Sequence, residues 1–410
     1  MKHLLGLLVS LPFLVQAQGI KFDESLTWEQ VKAKAKAENK YIFADCFATW
    51  CGPCKAMDKN IYPNDTVGNA VNGKFISVKV QMDSSKQDNE NVKAWYADAR
   101  TIMQQYKVTA FPTFLFFSPD GKLVHKDLGY KKKEDFIALV NDATDPKKQY
   151  YTLKTNYEQG KKDYTSMPAL ARMARGFRDA DFASSVAKQY ISHLNKKDIF
   201  EKENLRFIKE FTRSAKDPGF SILYKNAEKV NNILGKDEAE AAITGAIDND
   251  EIRPNTKKGA TPDWSAIQKN VAKYGKLGEE TLMQSQMLYA VNNKDWDLFN
   301  KVAKPWFEQY GSKRKWIADN SFLLNNVAWA AFENTSDKQG LEGALAMSAT
   351  TIEKGGPTEW DTYANLLYKL GQKEKALEWE AKAAAGSPQD KGIQEAYEKM
   401  KKGEPSWPTK

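Results

Sequence analysis

The sequence predicts an α/β domain with a mixed central sheet and flanking helices, followed by an all-α domain of helical hairpins. An apolar run at residues 41–44 leads into the motif W-C-G-P-C at residues 50–54 and then into a helix-forming stretch, which is the order strand, turn, helix. A second apolar run at residues 114–117 follows the tripeptide F-P-T and ends in the turn S-P-D-G. From about residue 150 strand-like alternation stops, and helical segments are separated by short Gly, Asn, Asp or Pro breaks.

Length and composition indicate more than one globular domain. The chain has 410 residues, which is long for a single domain of this kind, and 41% of them are hydrophobic, enough for extended cores. The formal net charge of +8 is diffuse, since Lys131-Lys132-Lys133 is followed at once by Glu134 and Asp135. A nucleic-acid-binding protein would cluster its Lys and Arg on one face, so we expect no nucleic-acid partner.

The first residues have the pattern of a signal peptide. Within residues 1–17, Lys2 gives a charged start, residues 4–15 are an apolar stretch and Ala17 ends a small-residue cleavage site. The apolar stretch is short for a membrane span, and no cysteine follows the cleavage site to carry a lipid anchor. We therefore predict export, to the periplasm or as a secreted protein, with a mature chain from about Gln18 that holds no integral membrane segment.

Elements of the first domain, residues 18–148, can be placed in order. Residues 18–40 hold an entry segment and a helix, residues 41–47 a buried strand, and a helix runs from Cys51 toward Ile61. The other predicted elements are a helix at 64–72 capped by Asn64 or Asp65, a strand at 74–81, a hairpin of strands at 111–117 and 123–128, and a closing helix at 133–141. Asp145-Pro146 marks the domain boundary.

Residues 83–106 form a long connection with the apolar spacing of an amphipathic helix. Two interpretations remain open. The helix packs on the side of the domain, or it walls the active site and restricts the substrates.

The second domain, residues 149–410, has its most regular part near its end. In residues 358–388, Trp360, Ala364 and Leu367 share one helical face, a glycine ends that helix, and alanines line the next one. This segment resembles a tetratricopeptide repeat, with Glu380 standing where a large apolar residue is usual. Residues 327–351 resemble a degenerate copy, so the array is clearest at 320–390. The aromatic residues of this domain are expected to pack between helices, with a peptide-binding concave face as the alternative.

Cys51 and Cys54 predict a redox centre. Two thiols separated by two residues can close a disulfide, and the free N–H groups at a helix start favour a thiolate there. Cys51, at the helix start and the more exposed of the two, is the expected nucleophile, and Cys54 is the expected resolving thiol. An inert disulfide or half of a metal site are the alternatives, but Cys46, His125 and His193 lack ligand spacing, so we expect no metal and no cofactor.

W-C-G-P-C-K at residues 50–55 and F-P-T at residues 111–113 resemble the two signatures of the thioredoxin superfamily, over roughly residues 20–145. The resemblance implies the thioredoxin fold and dithiol–disulfide exchange. It also implies that Asp45 is a buried carboxylate that accepts the proton of Cys54, and that Lys79 is its partner on the neighbouring strand.

The same resemblance assigns residues that bind the substrate. Pro112 is expected in the cis form beside Cys51, and Phe111 offers backbone groups to an extended substrate. Trp50 gives a flat apolar contact. Gly52 and Pro53 between the cysteines accompany reducing pairs in this family, which implies a reductase.

These expectations combine into an exported thiol–disulfide oxidoreductase that reduces protein disulfides, receives electrons from a membrane donor and docks substrates or partners through its helical repeats. The first alternative is an interaction scaffold whose redox centre is regulatory, and the second is a disulfide oxidase or isomerase. Replacing Cys51 with Ser separates the enzyme from the scaffold.

Overall fold

Two compact units make up the chain. A computed structural model describes residues 19–257 and 261–407, so the predicted signal peptide at 1–17 lies outside the described residues. The first unit ends at Tyr190 and the second begins at Ile191. The sequence analysis set the end of the α/β domain at residue 148, and the first unit includes further helices beyond it.

The first unit contains a four-stranded sheet and the helices around it. Its elements in chain order are α1 (Trp28–Glu38), β1 (Tyr41–Phe47), α2 (Gly52–Asn60), α3 (Asp65–Val71), β2 (Phe75–Gln81), α4 (Glu90–Ala94), α5 (Tyr96–Gln105), β3 (Thr113–Phe117), β4 (Leu123–Leu128), α6 (Lys133–Asp142), α7 (Tyr150–Glu158), α8 (Met167–Gly176) and α9 (Ala180–His193), which runs on across the division.

The sheet has the strand order β2-β1-β3-β4. Strand β1 pairs in parallel with β2, with Asp45 opposite Lys79, and in antiparallel fashion with β3. Strands β3 and β4 form the predicted antiparallel hairpin. The sheet is therefore mixed, as the sequence predicted, and β1 at its centre leads directly into the motif with the two cysteines.

Alternation along β1 and β3 divides the apolar side chains between two cores. Phe43 and Phe116 belong to the core under α2, α3 and α6, together with Met57 and Phe136. The alternate residues of these strands face the other side of the sheet and pack with α1 and α5; these are Ile42, Ala44, Cys46, Leu115 and Phe117. Both faces of the sheet are covered, which explains why residues 41–44 of β1 form a continuous apolar run rather than an alternating one.

The long connection after β2 forms two short helices. Asn89 caps α4 by accepting a hydrogen bond from the Val92 N–H (2.9 Å), and Trp95 joins α4 to α5. Ala99 and Ile102 of α5 are buried in the core shared with α1, and the Trp95 indole N–H donates to the Leu26 carbonyl (3.0 Å). Helix α5 thus packs on the side of the sheet, which favours the first of the two interpretations.

Helix α7 is hydrogen-bonded to the edge strand β4. The backbone N–H of Tyr150 donates to Nδ1 of buried His125 on β4 (3.0 Å). The Tyr150 ring packs edge-on against Phe177 after α8 (4.8 Å between ring centroids). Two helices beyond residue 148 thus belong to the first unit because β4 offers them an acceptor and an apolar surface.

The second unit is helical throughout its described part. Its α-helices after α9 are α10 (Lys202–Phe211), α11 (Pro218–Lys225), α12 (Ala227–Leu234), α13 (Glu238–Ile247), α14 (Trp264–Val271), α15 (Gly275–Asn293), α16 (Trp296–Gln309), α17 (Lys315–Ala318), α18 (Ser321–Asn334), α19 (Lys338–Ala349), α20 (Pro357–Lys369), α21 (Lys373–Gly386) and α22 (Lys391–Lys402).

Helices α20 and α21 form the hairpin predicted from the repeat-like segment. Gly371 has a φ of 85°, the left-handed conformation that ends α20 and that glycine adopts without steric cost. Ala364 and Ala376 are fully buried and let the two helices approach closely. The helical hairpin is present, and its membership of the tetratricopeptide class stays a prediction.

Charged side chains are also buried in the second unit. The Arg314 guanidinium donates to both carboxylate oxygens of Glu280 (2.8 and 2.6 Å) and to Asp237 (3.1 Å). Glu380 of α21 is fully buried beside the Asp361 carboxyl of α20. Within residues 19–257 and 261–407, none of the helices has the length and apolar character needed to cross a membrane.

Candidate active site

Cys51 and Cys54 form a disulfide at the start of α2. Cys51 is the N-cap residue, and its sulfur accepts a hydrogen bond from the Cys54 N–H (3.1 Å). Gly52 and Pro53 occupy the first two helical positions, where a missing N–H costs no hydrogen bond. A thiolate on Cys51 would lie at the positive end of the helix dipole, where a negative charge is stabilised.

Aromatic residues cover the disulfide. Phe111 and Phe47 pack against the two cysteines, and Trp50 lies edge-on to Phe111 (5.8 Å between centroids). Cys51 is 3% exposed and Cys54 2%, so in this oxidised form the predicted difference in exposure between them is not seen. Trp50 itself is 71% exposed. The exposed indole therefore leaves an apolar surface beside the covered disulfide.

Strand β3 brings the second motif to the same place. The Phe111–Pro112 peptide bond is cis, as the family resemblance implied. The Pro112 carbonyl accepts a hydrogen bond from the Gly129 N–H (2.8 Å), and the Thr113 hydroxyl donates to the Ala110 carbonyl (2.7 Å). These bonds fix the loop that carries Phe111 beside the disulfide.

Asp45 lies buried on β1 and forms the centre of a charged group with Lys79. Lys79 Nζ is 3.7 Å from the Asp45 carboxylate and also contacts the carboxylate of Asp58 on α2. Because Asp58 follows Cys54 by four residues, the two lie on the same face of α2. Lys79 therefore links the buried carboxylate to the helix that carries the resolving cysteine.

The ionisation of Asp45 reflects opposing effects. Burial raises the pKa of Asp45 to about 6, while the charge of Lys79 and the Tyr62 hydroxyl lower it. One carboxylate oxygen of Asp45 has no hydrogen-bond partner among the described residues. A carboxyl group that titrates near neutral pH and has a free oxygen can accept and return a proton.

Three aromatic rings surround the Lys79 ammonium. It lies 4.7 Å from the centroid of Phe47 and 5.6 Å from those of Phe22 and Tyr62. Rings hold a cation through their negative faces and exclude water. Lys79 is thereby fixed between its two carboxylates.

Asp83, directly after β2, clamps the loop before Cys51. Its carboxylate accepts hydrogen bonds from the Thr49 N–H (3.0 and 3.1 Å) and the Thr49 hydroxyl (2.5 Å). The clamp holds the residue that precedes Trp50. Asp83 therefore positions the redox turn from a neighbouring strand.

The residues predicted for the site lie in two adjoining groups, and further residues join them. The described structure brings together Trp50, Cys51, Gly52, Pro53, Cys54, Phe111 and Pro112 around the disulfide, and Asp45 with Lys79 beneath α2. The contact of Asp58 with Lys79, the effect of the Tyr62 hydroxyl on the pKa of Asp45 and the hydrogen bonds of Asp83 with Thr49 were not predicted. A carboxylate one turn after Cys54 was the available signal for Asp58, whereas nothing in the sequence pairs Asp83 with Thr49.

Cys46 stays apart from the redox pair. It is a free, fully buried cysteine in the core shared with α1 and α5, and burial raises the pKa of its thiol well above the usual range. A buried neutral thiol behaves as a small apolar side chain. No cluster of three or more His, Cys, Asp or Glu side chains within 19–257 and 261–407 could hold a metal ion.

Comparison with known proteins identifies the family. A family model described as a thioredoxin-like domain matches residues 28–144. Thioredoxin H-type of Chlamydomonas reinhardtii is 33% identical over 121 residues, which cover 30% of this chain and 90% of that protein. The chain belongs to the thioredoxin family. Its thioredoxin domain carries a disulfide-forming Cys51–Cys54 pair, and it is a thiol–disulfide oxidoreductase domain.

Other similar proteins include a thiol:disulfide interchange protein and a solved oxidoreductase structure. The thiol:disulfide interchange protein DsbD of Pseudomonas fluorescens is 28% identical over 88 residues, 21% of this chain and 13% of that protein. A solved structure named DsbH oxidoreductase has 18% sequence identity and a TM-score of 0.28, covering 34% of this chain and 93% of its own.

Proposed function

We propose that this protein is an exported thiol–disulfide oxidoreductase that reduces disulfides in protein clients. The observation that carries the proposal is the Cys51–Cys54 disulfide at the start of α2, covered by Phe111 next to cis-Pro112. Trp50 and the backbone of Phe111 are proposed to hold an extended client segment over Cys51, with Gly52 and Pro53 shaping the turn.

The exchange has two steps. The Cys51 thiolate attacks one sulfur of the client disulfide, which forms a Cys51–client mixed disulfide and releases one client thiolate. The Cys54 thiolate then attacks the Cys51 sulfur, which releases the second client thiolate and leaves the Cys51–Cys54 disulfide seen here. Two electrons pass to the client, and the protons of the two original thiols end on the client thiols. A dithiol donor in the membrane is proposed to reduce the pair again.

Asp45 is proposed to accept the proton of Cys54 before the second step. Its raised pKa, free oxygen and position beneath α2 support this role. Lys79 supports it by keeping part of the Asp45 population ionised, since its charge opposes the effect of burial.

The direction of exchange is tested by the reduction potential of the Cys51–Cys54 pair in glutathione buffers. We expect a value near about −270 mV, which marks a reductase. A value near about −120 mV would show a disulfide donor and contradict the argument from Gly52 and Pro53. Cys46→Ala is the matched control, because Cys46 is buried away from the pair and its removal should leave the potential unchanged.

Cys51→Ser tests whether the redox centre is the working part. The enzyme proposal expects this variant to lose reduction of client disulfides and to fail in a cell that lacks the wild-type protein. Full function of Cys51→Ser in the cell would instead favour an interaction scaffold built on the helical hairpins.

Export and docking rest on separate support. The charged and apolar pattern of residues 1–17 supports a signal peptide, and a signal peptide directs export. The mature amino terminus, read by mass spectrometry from fractionated bacteria, should lie near Gln18 in the periplasmic fraction. An intact Met1 in the cytoplasmic fraction would contradict export. The hairpin α20–α21 supports docking through helical repeats.

A further inference from the structure

A cationic groove opens in the first unit beside the redox site. Its volume is about 860 Å³, and its walls are residues 105–110, strand β4, helix α7 and the turn after α8. Clefts of roughly 300–1,000 Å³ hold small ligands or short segments of a larger one. Helices α7 and α8 follow the matched thioredoxin domain, so part of this groove is built by residues outside it.

The groove carries an excess of positive charge. Lys107, Lys126, Lys154 and Arg178 line it, and Asp179 is the one carboxylate among its lining residues. Lys154 pairs with Asp179 (2.6 Å). The other three cations have no carboxylate within 4.0 Å among the described residues. The groove therefore presents unneutralised positive charge.

Lys126 is a buried cation at the floor of the groove. It is 7% exposed, and its Nζ donates to the carbonyls of Tyr106 and Lys107 (3.2 Å each) while lying 5.8 Å from the Phe177 ring centroid. An ammonium group has three donors, so one remains for a ligand. A desolvated cation with a spare donor favours an anionic group.

Lys107 and Arg178 stand at the rim. Both are exposed and have left-handed backbone conformations, with φ of 49° and 61°, at the turns that follow α5 and α8. Tyr106, Tyr151 and Phe177 line the groove between the cations. Aromatic walls and fixed cations together suit a peptide with acidic and apolar side chains.

The groove continues into the loop of the redox site. Thr109 and Ala110 line it and directly precede Phe111 and cis-Pro112. Leu128 lines it as well and pairs with Thr113 across β3 and β4. A client chain held over Cys51 by the cis-Pro loop can therefore extend into the groove.

We propose that the groove binds an acidic segment of the protein client next to its disulfide, so that the protein prefers clients with Asp and Glu beside their cystines. The preference rests on the proposed function, because it needs the client to exchange at Cys51. A small anion or a second copy of this chain are the other occupants that the experiment separates.

The experiment compares two disulfide-linked peptides that differ only in Glu or Gln at positions flanking the cystine. Reduced protein is mixed with each peptide, and the rate of exchange is followed in low and high salt. We expect the Glu peptide to react roughly tenfold faster in low salt, because fixed charges raise association rates, and the ratio to approach one in high salt.

Variants of the rim test where the preference arises. Lys107→Asn/Arg178→Asn removes two charges, and Asn tolerates the left-handed conformation that both positions adopt. The double variant should lose most of the preference while it reduces the Gln peptide at the wild-type rate. Lys21→Gln/Lys36→Gln removes the same charge from exposed positions that do not line the groove, and it should keep the preference.

Each failure has a separate signature. Equal rates for the two peptides, or a preference that survives in the rim variant, would overturn the groove proposal and leave the oxidoreductase proposal standing. No exchange with either peptide or with a neutral small disulfide would overturn the proposed function itself. If low millimolar citrate or glutamate abolishes the preference, and chloride at equal ionic strength does not, the groove binds a small anion rather than the client. A preference that depends on protein concentration would assign it to a second copy.

Discussion

At the scale of single residues, we predict that Asp45 sets the pH range in which the redox pair works. The carboxyl is buried, and burial raises its pKa to about 6 against the opposing charge of Lys79. A carboxyl group in this range is an acceptor only while it is ionised. The second step of exchange should therefore slow as the pH falls through about 6.

Asp45→Asn removes this acceptor. We expect client reduction at neutral pH to slow by on the order of 100-fold, which is typical for loss of a positioned acid or base, and the dependence on pH near 6 to disappear. Stopped-flow measurement of client reduction between pH 5 and 8 checks both effects.

Asp58→Asn is the matched control for Asp45→Asn. The Asp58 charge raises the pKa of Asp45, so its removal should move the midpoint to lower pH while leaving the rate at neutral pH intact. A wild-type profile for Asp45→Asn would show that Cys54 loses its proton to another group.

Residue types and spacing predicted the redox pair and its family partners, but not their supports. W-C-G-P-C and F-P-T are local patterns, and in the structure they form the disulfide and the cis-proline loop. Asp83 was out of reach because it contacts Thr49 across 34 residues, and that contact depends on where β2 ends beside β1.

At the scale of elements, a single hydrogen bond joins helix α7 to the sheet. His125 accepts it through Nδ1 and must be neutral to do so. Burial lowers the pKa of His125 to about 4, against about 6.5 in an unfolded chain. As the pH falls, the His125 imidazole is therefore protonated in the unfolded state before it is protonated in the folded state. The stability that His125 contributes above about pH 6.5 is lost as the pH falls toward 4.

Acidification should therefore loosen α7 from β4. We expect the Tyr150 amide to exchange its hydrogen with solvent faster at pH 5 than at pH 7, after correction for intrinsic rates, by roughly tenfold. His125→Gln keeps an acceptor that does not titrate and should remove the effect. Unchanged protection of the Tyr150 amide between the two pH values would contradict the role of His125.

Helix α21 carries the opposite dependence on pH in the second unit. Burial and the Asp361 carboxyl raise the pKa of Glu380, so the folded hairpin favours the protonated acid. The folded state binds the proton more tightly than the unfolded state. The contribution to stability is therefore complete below about pH 4 and declines as the pH rises.

The unfolding free energy of the second unit should fall with rising pH by about 1.4 kcal/mol per pH unit for each proton that unfolding releases. Denaturant titrations at pH 5, 6 and 7 measure this slope. Glu380→Gln should flatten it, and Glu378→Gln, on the exposed face of the same helix, should not. A slope that persists in Glu380→Gln would place the titrating group elsewhere.

Elements were predictable where their pattern is local. Strand β1 has the predicted bounds, because its apolar run begins directly after the polar pair Asn39-Lys40 and the cysteine motif follows it. The split of residues 83–106 into α4 and α5 was missed, since Trp95 fits the apolar spacing and gives no sign that the first helix stops there. The attachment of α7 was missed because His125 and Tyr150 are 25 residues apart.

At the scale of the whole molecule, the chain divides into compact units at Tyr190–Ile191, and the domain boundary predicted at residue 148 lies inside the first unit. The change from alternating to helical patterns marks the end of the sheet. It does not mark the end of the unit, because α7 and α8 complete the first unit. Two compact units predict two unfolding transitions.

Arg314 should govern the transition of the second unit. It holds Glu280, which is buried, and Asp237, whose carboxylate also accepts the Lys315 N–H (2.9 Å). Arg314→Met leaves a buried carboxylate without its cation, and we expect this to destabilise the second unit by about 3–5 kcal/mol. Guanidinium titration should show the second-unit transition shifted and the first unchanged.

A double variant separates lost packing from an unpaired charge. Arg314→Met/Glu280→Leu removes both charges and should recover much of the stability. Arg206→Met, at an exposed pair with Glu203, is the surface control and should change stability by less than about 1 kcal/mol. An equally large loss in the surface control would show that the burial of Glu280 is not the cause.

Alkylation of the buried Cys46 thiol can report how often the first unit opens. The chain has three cysteines; in reduced protein we expect an alkylating reagent to reach the Cys51–Cys54 pair during exchange at the client-binding turn, whereas Cys46 is enclosed in the core between the sheet and α1. A third label can attach only when β1 opens. The mass of the labelled protein, followed over hours, therefore reports how often the sheet opens under native conditions.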